Sequence, residues 1–194
     1  MDAKLYKFLK YTALILVLAF VGWSFYDGLL AERRPGDQAY QAGNRFFEDG
    51  DYQRALGEYD AALQENPDAA YILRAKARSL MQLNRNDEAL QWYEKAIKLE
   101  PYFGGAYANR GILHDRMGNY KAAIADYEKS LQLDESVAEG PHWLTRFLRN
   151  QPDAPPTVKD RLMYLKAELA KPPEQRKLRD PDVDAKQRSY KQGS

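Results

Sequence analysis

The chain has 194 residues, which is enough for one domain of ordinary size and some additional segments. Its 29 lysine and arginine residues nearly balance 28 aspartate and glutamate residues, so a net charge of +1 gives no electrostatic reason to expect a nucleic-acid partner. Cysteine is absent, which excludes disulfides, zinc-thiolate sites and thiol nucleophiles. Composition therefore points to no ligand class, and the order of the segments carries the information.

The first segment, residues 1–35, is predicted to contain a membrane-spanning helix. An uncharged and mostly apolar run extends from Tyr11 to Tyr26 between basic residues. As a helix, residues 8–26 would be roughly 28 Å long, close to the hydrocarbon thickness of about 30 Å. A cleaved secretory signal has a similar pattern, but residues 29–31 (Leu-Leu-Ala) match a small-residue cleavage site poorly. A retained anchor is therefore favoured over a cleaved signal.

The charges that flank this run predict its orientation. Lys4, Lys7 and Lys10 precede it, whereas Arg33 and Arg34 follow it. Because basic residues are enriched on the cytoplasmic side, the amino terminus is predicted to be cytoplasmic. The remainder would then lie across an inner membrane, in the periplasm of a bacterial cell; the alternative places it on the cytoplasmic side.

Three copies of one 34-residue pattern follow, at 36–69, 70–103 and 104–137. Positions 8, 20 and 27 of each copy are small, and position 24 is tyrosine. Small residues let two antiparallel helices approach closely, and the tyrosine fills the space towards the next copy. In chain order these residues are Gly43, Ala55, Tyr59 and Ala62, then Ala77, Ala89, Tyr93 and Ala96, then Gly111, Ala123, Tyr127 and Ser130.

Between the two helices of each copy stands a residue that tolerates left-handed backbone, namely Gly50, Asn84 or Gly118. Pro67 and Pro101 end the first two copies, since proline cannot continue a helix. The pattern resembles the tetratricopeptide repeat family over 102 of the 194 residues. The resemblance implies an all-α fold in which three helical hairpins stack as a superhelix.

Repeat arrays need capping elements at their ends. Residues 138–171 are predicted to form capping helices. The apolar residues at helical spacing in this segment are Trp143, Leu144, Phe147 and Leu148, followed by Leu162, Leu165 and Leu169. Residues 172–194 are polar and rich in charge, which predicts a disordered or extended tail.

In this family the first helices of the repeats line a concave face that binds peptides. The corresponding positions here are rich in the residue types enriched at protein interfaces. The predicted groove consists of Tyr40, Asn44, Phe47, Tyr71, Arg74, Arg78, Met81, Asn109, Ile112 and Arg116. The alternative is that Tyr40, Phe47 and Met81 pack against the cap or the tail.

One subclass of the family grips the terminal carboxylate of chaperone peptides with lysine, asparagine and arginine at five positions. This sequence has Tyr40, Asn44, Ala75, Gly105 and Asn109 there, and only Asn44 matches. The chaperone-clamp interpretation therefore fails.

Arg74 and Arg78, one helical turn apart, still have the chemistry to bind a carboxylate or an acidic segment of another ligand. The alternative is that they form ion pairs across the groove with Asp37, Glu48 or Asp115.

No catalytic, cofactor or metal site is predicted, and no enzyme activity is expected. His114 falls at a helix packing position and His142 lies in the predicted cap. Paired carboxylates such as Asp49 and Asp51 are typical of turns, and no phosphate-binding loop or metal-ligand spacing occurs.

The layout is similar to that of bacterial membrane-anchored adaptors, which implies a scaffold that recruits a protein or peptide for assembly or quality control of a membrane or envelope complex. The alternative is a constitutive structural subunit of a membrane complex, with the membrane span as its main contact. A third possibility is that the basic tail from Lys171 binds anionic lipid or folds back on the acidic repeats.

Overall fold

The structure is a computed structural model that describes residues 3–30, 34–139 and 156–179. This part of the chain contains eight α-helices, two short 3-10 helices and no strand, which confirms the predicted all-α fold. The helices are α1 (Ala3–Leu30), α2 (Asp37–Glu48), α3 (Tyr52–Glu65), α4 (Ala70–Gln82), α5 (Asn86–Leu99), α6 (Gly104–Arg116), α7 (Tyr120–Leu133) and α8 (Val158–Leu169). The 3-10 helices are Glu135–Ala138 and Pro173–Gln175.

The chain divides into two compact units, residues 1–35 and 36–194. The first unit is the long helix α1. Its stretch Lys4–Tyr26 is, by length and composition, able to cross a membrane, and every side chain in it is exposed. Secretory signal sequences share this property.

The second unit is built from three helical hairpins, α2 with α3, α4 with α5, and α6 with α7. Glycine allows the close approach in two of them. An ideal Cβ atom on Gly43 would lie 2.6 Å from a ring atom of Tyr59, and one on Gly111 would lie 2.7 Å from the ring of Tyr127. Both rings are fully buried. The predicted close approach at the small residues is confirmed, and each tyrosine ring packs on the glycine of its own hairpin, a contact that the repeat pattern did not predict.

The turns inside the hairpins use the residues that the sequence predicts. Gly50, Asn84 and Gly118 have φ angles of 81°, 59° and 80°, all in the left-handed region. In the first hairpin Asp51 then caps α3, because its carboxylate accepts a hydrogen bond of 3.0 Å from the backbone N–H of Arg54. The three hairpins thus share one turn geometry although their turn residues differ.

Adjacent hairpins stack through α3 against α4 and through α5 against α6. Two clusters of buried apolar side chains result. A smaller cluster lies in the first hairpin and at the start of the second, around Tyr59 and Ile72. A larger cluster extends from the second hairpin to the end of the repeats, around Tyr93 and Tyr127.

After the repeats, α8 packs against α7 and buries Leu162 and Leu165 in the larger cluster. A capping box starts this helix: Thr157 Oγ1 accepts a 3.2 Å hydrogen bond from the backbone N–H of Asp160, whose carboxylate accepts one of 2.9 Å from the Thr157 N–H. The predicted apolar group Trp143, Leu144, Phe147 and Leu148 lies outside the described residues.

Residues 172–179, which composition assigns to the polar tail, return along α8. The backbone N–H of Lys177 donates a 2.7 Å hydrogen bond to Glu168, and the Tyr164 hydroxyl donates one to the Lys177 carbonyl. Leu178 packs against the larger cluster. The segment is held mainly through its backbone, which is why its polar side chains do not predict this path.

Candidate functional site

Several predicted groove residues of the first two repeats are partly exposed, and they contact one another in pairs. The ring of Tyr40 contacts the ring of Tyr71 edge-on, with centroids 4.8 Å apart. Phe47 lies beneath the guanidinium of Arg78, 4.6 Å from its Cζ atom. We call Tyr40, Phe47 and Tyr71 the aromatic strip. The strip joins α2 to α4 across the boundary between two repeats.

Hydrogen bonds fix the polar edges of the strip. The Tyr71 hydroxyl donates to Asp37 Oδ1 at 2.7 Å. The Tyr59 hydroxyl donates to Asn44 Oδ1 at 2.8 Å, and burial raises the pKa of Tyr59 to about 12, so the phenol is a neutral donor at pH 7. The one clamp-like residue, Asn44, therefore uses its carbonyl within the protein and keeps its NH₂ group as a donor.

The two arginines of α4 have different surroundings. Arg74 is only 5% exposed; it forms an ion pair with Glu100 and lies 4.1 Å from the ring centre of Phe103. Glu100 follows α5, so this pair joins the two helices of the second repeat. Arg78 is half-buried and stacks on the aromatic strip.

The remaining predicted groove residues lie deeper. Met81 is fully buried, Ile112 is 2% exposed and Asn109 is 4% exposed. Met81 and Ile112 belong to the larger apolar cluster, which also contains Leu162 of α8. The position of a residue within a repeat predicts the face of the helix on which its side chain lies. It does not predict whether another segment of the chain buries that side chain. These three residues offer little accessible surface.

A buried ion pair ties α8 to the third repeat. Arg161 donates from Nε to Asp115 Oδ2 at 2.6 Å and from Nη2 to Oδ1 at 2.9 Å. Their side chains are 4% and 2% exposed, and the Tyr127 hydroxyl donates to the same carboxylate at 3.3 Å. The repeat pattern does not predict this pair. The sequence does indicate that Arg161 is buried, since it lies at helical spacing between Val158 and Leu165 on the apolar side of α8.

The segment after α8 also reaches the third repeat. Arg179 donates from Nη2 to the backbone carbonyl of Arg116 at 2.6 Å, and Arg161 donates from Nη2 to the carbonyl of Leu178 at 3.1 Å. Asp115 and Arg116, both at predicted groove positions, are thus in contact with the chain's own carboxyl-terminal part. Accessible groove surface is concentrated on α2 and α4.

Within the described residues, no group of His, Asp and Glu side chains is arranged to hold a metal ion. Burial lowers the pKa of His114, which favours its neutral form at pH 7. Its acidic neighbour Asp126, 3.9 Å away, is held by Arg110 through two hydrogen bonds of 2.8 and 2.7 Å. His114 therefore occupies a packing position, as the sequence predicts.

The three stacked hairpins have a constant period and define a helical-repeat protein. Interface-type side chains are accessible on the first helices of the first two hairpins. Residues 40–102 match a family model of the tetratricopeptide repeat, and residues 105–137 match a second model of the same repeat. These two segments therefore consist of tetratricopeptide repeats.

Curated relatives share this region at moderate identity. The chain is 32% identical over 101 residues to DnaJ homolog subfamily C member 7 homolog of Dictyostelium discoideum, covering 50% of this chain and 19% of that protein. It is 30% identical over 115 residues to the Hsp70-Hsp90 organizing protein of Triticum aestivum, covering 59% of this chain and 19% of that one. The matched region is thus about a fifth of the length of these relatives.

Solved structures show the same fold. The first TPR of Spaghetti (RPAP3), bound to the HSP90 peptide SRMEEVD, is 19% identical with a TM-score of 0.57, covering 71% of this chain and 94% of that one. The second TPR of the same protein, with the same peptide, is 26% identical with a TM-score of 0.50, covering 52% and 94%.

Proposed function

We propose that the chain is a membrane-anchored adaptor whose repeats recruit a partner protein through a peptide segment bound across α2 and α4. The recruited protein would take part in assembly or quality control of a membrane or envelope complex. The observation that carries the proposal is the aromatic strip: Tyr40, Phe47 and Tyr71 are partly exposed, contact their neighbours and lie where two repeats meet. Aromatic side chains beside an arginine are typical of the centres of protein interfaces.

The comparisons support peptide binding as a property of this fold. Two similar structures hold an HSP90 peptide, and the relatives include an Hsp70-Hsp90 organizing protein. The present chain lacks the lysines of the chaperone clamp, with Tyr40 and Gly105 in place of two of them. We therefore expect a peptide partner, but one with a different sequence requirement.

Photo-crosslinking tests the adaptor function. A benzoylphenylalanine residue at Phe47 or Tyr71 should capture a discrete partner protein in intact membranes, because both side chains lie on the aromatic strip. The same residue at Tyr102 is the matched control, since Tyr102 is 82% exposed but lies in the loop before α6. Capture should also fall when Arg78→Glu is introduced beside Phe47. Identical capture from all three positions, or none from the strip, would contradict the proposal.

The anchor is the second part of the proposal. We infer that residues 8–26 span the membrane with the amino terminus in the cytoplasm and the repeats on the other side, in the periplasm if the cell is bacterial. The exposed apolar surface of α1 supports a span, and Lys4, Lys7 and Lys10 at its amino-terminal end support this orientation.

The lack of cysteine makes this orientation directly measurable. Gln53→Cys, on the exposed side of α3, should react with a membrane-impermeant maleimide in intact cells. Asp2→Cys should react only after the cells are permeabilised. The opposite labelling pattern would place the repeats in the cytoplasm, and protection of both residues would contradict a spanning anchor.

A constitutive structural subunit is the second candidate function, and one observation favours it. The apolar side chains of α1 are exposed around the whole helix, so the span has surface for packing on other spans. A stoichiometric complex that survives detergent and persists without residues 36–194 would support this candidate. Loss of the partner on deletion of the repeats alone would support the adaptor.

A further inference from the structure

Side chains of α8 bind the backbone of the segment that follows this helix. The Tyr164 hydroxyl donates to the Lys177 carbonyl, and the Lys177 N–H donates to Glu168 at 2.7 Å. Arg161 donates from Nη2 to the Leu178 carbonyl at 3.1 Å. All three hydrogen bonds engage main-chain atoms of the segment, so they do not depend on which side chains the segment carries.

Residues 176–179, which we call the strap, run from α8 to the end of α6. The backbone is extended at Arg176, with φ −75° and ψ 128°. Leu178 is half-buried and packs against the larger apolar cluster, and Arg179 donates from Nη2 to the Arg116 carbonyl at 2.6 Å. Extended segments that are held through their backbone, with a side chain in an apolar site, are a common form of bound peptide.

The strap is held less firmly than the helix beneath it. The side chains of Lys177 and Arg179 are exposed, and Leu178 is the strap residue that joins an apolar cluster. In α8, by contrast, Leu162 and Leu165 are both buried. Local opening costs least where few apolar side chains are buried, so the strap can leave its place while α8 stays folded.

We propose that α8 and the end of α6 form a binding site for an extended peptide with a leucine between basic residues, and that the strap occupies this site as an intramolecular ligand. The strap supplies this sequence as Lys177, Leu178 and Arg179. An intramolecular ligand acts at an effective concentration on the order of millimolar, so it excludes a weaker peptide from solution. The site goes beyond the proposed function, because it lies on α6 and α8 instead of α2 and α4. The strap closes the third-repeat end of the groove until it is released.

A labelled copy of the segment tests the site. The probe is a fluorescent octapeptide with the sequence of residues 172–179, added to the full chain in uncharged detergent micelles. Leu178→Asp in the chain should release the strap, because a carboxylate is costly to pack against apolar side chains, and should raise the affinity for the octapeptide roughly tenfold over wild type. Met163→Asp is the matched control: it places the same charge on α8 at a residue that is 62% exposed, and should leave binding unchanged.

Two further variants separate release of the strap from unfolding. Arg179→Ala changes an exposed side chain and removes its bond to the Arg116 carbonyl, so the chain should keep its melting temperature and bind the octapeptide several-fold more tightly than wild type. Tyr164→Phe, added to Leu178→Asp, removes a donor from the site itself and should weaken octapeptide binding several-fold. An octapeptide that carries Leu178→Asp should bind none of these variants.

Hydrogen exchange of the wild-type chain measures opening of the strap directly. The amides of residues 174–179 should exchange roughly tenfold faster than those of α8, because the strap opens locally. Equal exchange in both segments would make the strap an integral part of the α8 fold and would overturn the proposal. Octapeptide binding by Leu178→Asp and Arg179→Ala that is no tighter than by wild type would also overturn it. Photo-crosslinking from the aromatic strip does not involve the strap, so the adaptor function stands or falls separately.

Discussion

Replacement of Arg161 with alanine is expected to lower the free energy of unfolding by about 3–5 kcal/mol. The substitution leaves the Asp115 carboxylate, which is 3% exposed, without the two guanidinium hydrogen bonds that hold it. A buried charge that has lost its partner costs more than the intact pair contributes. Urea denaturation of the full chain, followed by far-UV circular dichroism, measures the change.

Two variants show whether this cost comes from the buried charge. Arg85→Ala breaks an exposed pair with Glu88 and should change stability by less than about 0.5 kcal/mol. The double variant Arg161→Leu with Asp115→Leu should recover most of the loss, because apolar residues can replace a buried ion pair. If Arg161→Ala were no more harmful than Arg85→Ala, the pair would not hold α8 on the repeats.

Replacement of Gly111 with alanine is expected to cost about 1–3 kcal/mol, because the added methyl group would overlap the buried ring of Tyr127. Gly57→Ala is the matched substitution in a helix: nothing lies within 4 Å of its Cβ position, so alanine should stabilise the chain by about 0.5–1 kcal/mol. Thermal and urea unfolding of the two variants should therefore move in opposite directions.

The middle repeat has an alanine at the position equivalent to Gly111. Ala77 occupies the place of Gly111 there and is fully buried, so a methyl group is tolerated against Tyr93. The second hairpin therefore accommodates, at this position, a methyl group that the third hairpin lacks. If Gly111→Ala were as stable as wild type, the third hairpin would be able to open to the spacing of the second, and close packing at this position would not determine stability.

The repeated features of the fold could be predicted because the same physical requirement appears three times in the sequence. Gly50, Asn84 and Gly118 differ in type, yet each meets the need for left-handed backbone at the same place. The tyrosines at position 24 and the small residues opposite them are likewise local to one hairpin. Because these constraints act within one hairpin, the residues that satisfy them recur at the same position of each repeat.

The unrepeated features could not be predicted in the same way. The spacing of Arg74 within its repeat does not indicate its ion pair with Glu100 at the end of α5. Met81 and Ile112 are buried in a cluster that also contains residues of α8, and the bond between Arg161 and Asp115 depends on where α8 packs. The sequence separation between Arg161 and Asp115 is 46 residues, so no periodicity links them. The candidate site differs most from expectation where distant segments meet.

The division of the core into two clusters implies that binding of a partner protein would change the local stability of the first hairpin. The smaller cluster, beneath the aromatic strip, is built largely of alanines and buries less apolar surface than the larger one. Local opening therefore costs least in the first hairpin. A partner that bridges α2 and α4 would stabilise this hairpin by about 2.7 kcal/mol at a concentration one hundred times its Kd. The amino-terminal repeat would then resist proteolysis when the adaptor is occupied and become vulnerable when it is empty, which would couple the lifetime of the protein to the presence of its client.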